Sequence, residues 1–213
     1  MVELTEICRR TGGGPEPGML AALMAGMPGR RYLELGAGCA QASITLAHLN
    51  TECEIDAVER QAVLVEEAQK LIDHHQVAVQ MVRADLRQLT PVLARQAYDG
   101  VFFNPPYFEA GKHRPPQDPI RAAARLTLHG DLHDFCLCAC EMVKCGGWVV
   151  MIHRMEQVEV CAKVLADVGL TLHRQIVLGT GGGKQSLVVL MAQKGGVGPW
   201  CRVYDMTIGA SKR

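Results

Sequence analysis

The chain has no excess of either charge: 22 lysines and arginines stand against 22 aspartates and glutamates. A protein that grips many phosphates carries a basic surplus to displace counterions, so neutrality argues against broad nucleic-acid contact and leaves room for a local basic patch. Missing too is any run of roughly 18 to 20 uncharged apolar residues, the length that spans a bilayer. The N-terminal stretch Met1 to Arg10 sets acids among its few apolar residues and lacks the basic start and apolar run of a secretory leader. These absences predict a protein without membrane contact, located in the cytoplasm. No internal repeat is present, and the nine cysteines are an odd number, which argues against a full disulfide framework. In a reducing compartment they are thiols, and Cys136, Cys138 and Cys140 read as small residues in or near a core.

What is present suffices for one core. Hydrophobic residues make up 48% and charged residues 21% of 213 positions, the composition of a globular chain the size of a single domain. Three apolar runs, Tyr32 to Leu35, Ile55 to Val58 and Val101 to Phe103, are rich in branched or aromatic residues and end at small or polar ones, as parallel strands buried on both faces do. Helical spacing fills the gaps at Gln41 to Leu49 and Ala62 to Ile72, and Val77 to Val82 reads as another strand. The second half continues with a helix from Leu132 to Lys144, a break at Gly146-Gly147, a strand from Trp148 to Ile152, and a helix from Glu156 to Val168 stopped by Gly169.

This alternation predicts a doubly wound sheet with right-handed crossovers. The last two runs, Leu170 to Leu178 and Ser186 to Ala192, are separated only by the glycine-rich Gly179 to Gly183, too short for a crossover helix, so they are expected to be antiparallel. The fold class is therefore α/β: a doubly wound, mostly parallel seven-stranded sheet with one reversed strand, a Rossmann-like arrangement. Residues 31–194 form that domain. Residues 1–30 supply a Gly/Pro-rich loop, Thr11 to Pro17, and a short helix, Met19 to Met27, while residues 195–213 take no assignment.

The segment Glu34-Leu35-Gly36-Ala37-Gly38 puts an acid at the end of the first strand and two glycines in the turn to the first helix, where the backbone can approach a ligand closely. A dinucleotide site calls for a third glycine at position 41, where Gln41 stands, so the turn suits a nucleoside without phosphates. S-adenosylmethionine is such a nucleoside: its carboxylate can use N–H groups at the helix start, and its ammonium suits Glu34. Glu59, about 20 residues past the glycines, stands where such folds bind ribose hydroxyls, with Arg60 next to it. Asp85 follows the third strand, a position that resembles the one from which methyltransferases contact the adenine amino group, and Leu86 next to it could pack on the ring. Each feature alone is weak; the ordered set at successive strand ends is what points to the cofactor.

Directly after the fourth strand comes Asn104-Pro105-Pro106-Tyr107-Phe108, which resembles the Asn-Pro-Pro-Tyr signature of methyltransferases acting on nitrogens conjugated to a ring or carbonyl. An amino nitrogen conjugated to a ring or carbonyl is a poor nucleophile because its lone pair is delocalised. The Asn104 side-chain oxygen and the Pro105 carbonyl are placed to accept its two hydrogens and aim the lone pair at a methyl donor, so that Asn104 serves both substrate and cofactor. Pro105 and Pro106 stiffen the loop, and Tyr107 and Phe108 offer flat surfaces to a planar substrate. Beyond them Lys112, Arg114 and Arg121 supply the local basic patch, as a solvated loop or as a contact to an RNA backbone. His129 and His133 stand four apart beside Asp131 and Asp134, but Gly130 marks a helix boundary there, and no metal site is expected.

Taken from about Tyr32 to Lys194, the chain resembles the bacterial tRNA(Val) adenine-N6 methyltransferase family. The resemblance rests on Glu34-Leu-Gly-Ala-Gly38, on Ala57-Val-Glu59, on Asn104-Pro-Pro-Tyr-Phe108 with the Gly- and Arg-bearing loop from Gly111 to Arg125, and on the ending Ser186 to Lys194. It implies a compact S-adenosylmethionine-dependent methyltransferase acting on an adenine amino group, with tRNA as partner; a homodimer is left open. Three alternatives stay open: a protein glutamine-amide methyltransferase, an rRNA guanine amino methyltransferase, and a catalytically silent cofactor-binding subunit.

Overall fold

The computed structural model describes residues 15–105, 130–179, 185–196 and 201–207. Helix α1 (Pro15–Ala25) leads into strand β1 (Arg31–Leu35), helix α2 (Gln41–Leu49), strand β2 (Glu54–Glu59), helix α3 (Ala62–His75) and strand β3 (Val79–Arg83). Strand β4 (Tyr98–Phe103), helix α4 (Leu132–Met142), strand β5 (Val143–Arg154) and helix α5 (Val158–Asp167) follow, and the strands β6 (Leu170–Gly179), β7 (Gln185–Lys194) and β8 (Cys201–Thr207) close the chain.

All eight strands share one sheet in the order β3-β2-β1-β4-β5-β7-β6-β8. Neighbours run parallel except where β7 lies antiparallel to both β5 and β6, which makes β7 the single reversed strand among the described residues. The expected seven strands are all present. The eighth comes from the tail and adds to the outer edge beside β6. From β1 the chain steps outward to β3 and then returns to the other side of β1 as β4, so the strand order reverses between β1 and β4. In open α/β sheets the crevice at such a reversal, at the carboxyl ends of the strands, is where ligands bind.

Apolar side chains alternate to the two faces of the sheet and build two cores. On one, Leu20, Met24, Ile44 and Ile72 from α1 to α3 pack on Tyr32, Ile55, Phe102 and Val150. On the other, Phe135, Met142 and Leu165 from α4 and α5 pack on Leu33, Val101, Phe103 and Met151. Phe102 and Phe103 are both fully buried, one to each face, and each contributes about 1.5–3 kcal/mol of burial. Cys136 and Cys138 are buried, and burial pushes their thiols up to about 12, so they act as small apolar residues. Among the described residues no helix is long and apolar enough to cross a membrane.

Several boundaries differ from expectation. Helix α1 already begins at Pro15, inside the stretch expected as a Gly/Pro-rich loop up to Pro17, because proline is tolerated in the first turn of a helix, and it ends at Ala25 rather than Met27. Helix α4 ends at Met142 because Val143 is already extended (φ −74°, ψ 142°), and β5 runs on through Gly146-Gly147 without a break. Gly147 is required there, since a Cβ would lie 2.8 Å from the Asp99 carbonyl of β4. Strand β4 begins at Tyr98, ahead of the purely apolar run, because Asp99 accepts from the backbone N–H groups of Arg30 and Arg31 at the start of β1 (2.9 and 3.0 Å).

Candidate active site

The turn after β1 is built from left-handed backbone: Gly36 has φ +65°, Gly38 φ +56° and Ala40 φ 55°. The Ala37 N–H donates to the Val58 carbonyl (2.9 Å), tying the turn to the end of β2. The two glycines differ in what surrounds them. A Cβ on Gly36 would sit 3.0 Å from the Phe135 ring, whereas one on Gly38 would meet nothing within 4 Å. The turn therefore packs on the core through Gly36 and presents open space at Gly38, which is what a ligand lying across it needs.

Three carboxylates shape this end of the sheet. Glu34 is 7% exposed, and its Oε2 accepts from the Ser43 N–H (3.0 Å) and the Ser43 hydroxyl (2.5 Å). Ala40, at the start of α2, makes no side-chain cap bond, so Glu34 reaches across from β1 to cap the helix in its place. Burial raises the Glu34 carboxyl to about 7, against the lowering by the two Ser43 hydrogen bonds; the nearby Glu59 charge raises it further. Glu59 closes the turn from the other side. Its Oε2 accepts from the Gly38 N–H at 3.0 Å, and its Oε1 from the N–H groups of Arg60 and Gln61, both at 2.8 Å.

Asp85, just past β3, is held by cations. Its Oδ1 accepts from the Arg87 N–H (3.1 Å) and Nε (2.9 Å), its Oδ2 from Arg87 Nη2 (2.7 Å), and Arg60 Nη1 stands 3.3 Å away. These bonds, led by the Arg87 side chain, hold its carboxyl down at about 2. Leu86 is buried in the α4-side core.

Register places the fourth-strand motif. Leu35 pairs with Phe103, so Asn104 follows β4 directly beside the point where Gly36 follows β1. Asn104 is exposed at the mouth and Pro105 is buried behind it. The Phe103 ring lies 5.5 Å from that of Phe135, so one aromatic of α4 braces both the glycine turn and the end of β4. Pro106, Tyr107, Phe108, Lys112, Arg114 and Arg121 lie outside the described residues. The structure thus brings Glu34, Gly36, Ala37, Gly38, Glu59, Arg60, Asp85, Leu86 and Asn104 to the carboxyl ends of four adjacent strands.

Sequence reasoning did not single out Ser43, Arg87 or Phe135, each of which fixes an expected site residue. The first two are short-range polar partners, and Phe135 looks like any core aromatic until the fold is known. Asp131, His133 and Asp134 have ligand atoms within 4.8 Å of one another. The two aspartates form a reciprocal capping box at the start of α4: Asp131 accepts from the Asp134 N–H and Asp134 from the Asp131 N–H.

Comparison with known proteins agrees with this geometry. Residues 18–133 match the family described as the methyltransferase small domain. The tRNA1(Val) (adenine(37)-N6)-methyltransferase of Aeromonas hydrophila is 30% identical over 168 residues, 76% of this chain and 67% of that protein. The release factor glutamine methyltransferase of Salmonella typhimurium is 28% identical over 145 residues, 65% of this chain and 52% of that protein. The chain thus spans about two thirds of the first relative's length and about half of the second's. In fold, a predicted O-methyltransferase of Agrobacterium tumefaciens superposes with a TM-score of 0.73 at 18% identity, covering 92% of this chain and 90% of that one. An open glycine turn between β1 and α2, carboxylates at the ends of β2 and β3, and a family match over more than half the length agree: the chain belongs to the methyltransferase small domain family and is an S-adenosylmethionine-dependent methyltransferase.

Proposed function

We propose that the protein methylates the exocyclic amino nitrogen of an adenine in tRNA. The observation that carries this reading is the position of Asn104 and Pro105, one step beyond β4 and beside the Gly36 turn. An amide oxygen and a backbone carbonyl there suit a planar amino group whose lone pair must be turned out of conjugation. The bound cofactor supplies an electrophilic methyl group. The turn from Gly36 to Gly38 receives its amino-acid end, with Glu34 behind the turn, and Glu59 accepts from the ribose hydroxyls with Arg60 beside it. Asp85 and Leu86 meet the adenine ring. Asn104 Oδ1 and the Pro105 carbonyl accept from the target amino group, and Pro106 stiffens the loop. Tyr107 and Phe108 stack on the base, and Lys112, Arg114 and Arg121 meet phosphates. Catalysis is then chiefly in-line positioning. A tRNA substrate goes with a cytoplasmic location.

A second reading follows from the similarity to the release factor glutamine methyltransferase. A glutamine side-chain amide presents the same delocalised nitrogen to the same two acceptors. Incubation with methyl-labelled cofactor and separate pools of tRNA, rRNA and protein decides between them. The tRNA reading expects label in tRNA, recovered as N6-methyladenosine. Label recovered as methylglutamine overturns the substrate and keeps the reaction type, and label in rRNA guanine does likewise.

A further inference from the structure

At the ends of α2 and α3 remote from the glycine turn, three histidines gather. His48 stands in the last turn of α2, and His74 and His75 in the last turn of α3. His48 Nε2 and His75 Nδ1 are 3.4 Å apart, and their rings meet edge-on with centroids 5.4 Å apart. The His74 ring is 5.3 Å from that of His75.

That nitrogen spacing is informative. Two imidazole nitrogens bound to one tetrahedral zinc at about 2.0–2.1 Å each stand roughly 3.3–3.4 Å apart. The pair therefore has the spacing of two ligands on one ion without any movement of the helices that carry them. Both rings also occupy helix C-terminal turns, where carbonyls without intrahelical partners carry partial negative charge that favours a cation. The Asp131, His133 and Asp134 group differs here, because its two carboxylates already serve backbone N–H groups at a helix N-terminus.

We propose that His48 and His75 form a binding site for a divalent transition metal of the zinc class, held by Nε2 of His48 and Nδ1 of His75 with water completing the shell. Both rings bind as neutral imidazoles, His48 with its proton on Nδ1 and His75 with its proton on Nε2. The ion joins the far ends of the two helices whose near ends follow the Gly36–Gly38 turn and Glu59. It thereby clamps the two corners of the cofactor site from behind. Metal binding there does not depend on which nitrogen the enzyme methylates.

Zinc ion titrated into the full chain tests it by calorimetry and melting temperature together. At about ten times the dissociation constant the melting temperature is expected to rise by roughly 3–6 °C. His48→Ala and His75→Ala each remove that rise and one equivalent of calorimetric binding, while His133→Ala keeps both. His48→Gln, which retains a polar side chain without an imidazole, gives the same loss, and unchanged metal-free melting of the variants shows that they fold. Zinc binding that survives both His48→Ala and His75→Ala, a loss confined to His133→Ala, or no saturable binding overturns the proposal.

Discussion

The two ends of the parallel strands both carry buried or half-buried acids, and they use them differently. At the carboxyl ends, Glu34 and Glu59 accept mainly from backbone N–H groups, those of Ser43, Gly38, Arg60 and Gln61. At the amino ends Asp56 meets side chains that cross the sheet. Asp56 on β2 accepts from the Tyr98 hydroxyl of β4 at 2.6 Å and lies 3.5 Å from the Arg31 guanidinium of β1, which itself sits 5.0 Å over the Tyr98 ring. Asp99 adds a bond from Lys144 at 2.5 Å to the two it accepts from the Arg30 and Arg31 N–H groups. A carboxylate bound to turn amides fixes the shape of a loop and leaves the space over it open. One bound to a phenol and a guanidinium seals three strands together. The first arrangement is the one expected to serve a ligand, and the second the one expected to serve stability.

Changes at the two ends should therefore separate function from folding. The largest effect expected is on transfer: Asn104→Ala should lower the methylation rate by about 10²–10³-fold, the range seen when one transition-state hydrogen bond is removed. Cofactor affinity, measured by calorimetry, should hardly change if the Asn104 amide serves the target amino nitrogen as proposed.

Next comes pH. Glu34 is raised to about 7 from an ordinary 4.5, so its contribution to stability is fully present below about 4.5 and is lost as pH rises through 7. The loss is on the order of 3 kcal/mol, and Glu34→Gln should flatten this alkaline limb in melting curves recorded between pH 4 and 8. Asp85 and Asp99 have the opposite sign. Both are held at about 2, Asp85 chiefly by Arg87, and Asp99 by Lys144 and two backbone N–H groups that outweigh its burial. Their contribution is present above the ordinary 3.8 and is lost as pH falls through 2.

Glu59→Ala should weaken cofactor binding by roughly 10–100-fold, since it removes a charged acceptor worth about 1.5–3 kcal/mol. It should also lower the melting temperature, because the Gly38, Arg60 and Gln61 amides lose their partner. The smallest effect belongs to the sealed end. Tyr98→Phe should cost about 1–2 kcal/mol and a few degrees of melting temperature with cofactor affinity unchanged. A matching loss of affinity in Tyr98→Phe would erase the contrast between the two ends.

Much of the fold could be read from apolar runs, because strands buried on both faces announce themselves. Helix α2 begins and ends at Gln41 and Leu49, where the periodicity puts it, and the reversal of β7 follows from the shortness of the loop before it. Strand β8 escaped because Cys201–Thr207 mixes Arg202 and Asp205 into its apolar residues and, among the described residues, pairs with β6 alone, so it lacks the run that marks a central strand. The early start of β5 was hidden by Lys144-Cys145-Gly146-Gly147, where sheet pairing overrides weak local preference. Site acids were visible as polar residues closing apolar runs. Their partners were not: that Glu34 caps α2 through Ser43, and that Phe135 braces both Gly36 and Phe103, depends on tertiary placement that no spacing encodes.

The central claim is that the cofactor occupies the carboxyl ends of the strands, over the Gly38 turn. Titration of S-adenosylmethionine into isotopically labelled protein, followed through backbone amide shifts, tests it directly. Saturable shifts at Gly36, Ala37, Gly38, Arg60 and Leu86, with Arg31, Asp56 and Tyr98 unmoved, are the predicted result. Shifts concentrated at Arg31, Asp56 and Tyr98, with the glycine turn silent, would contradict it.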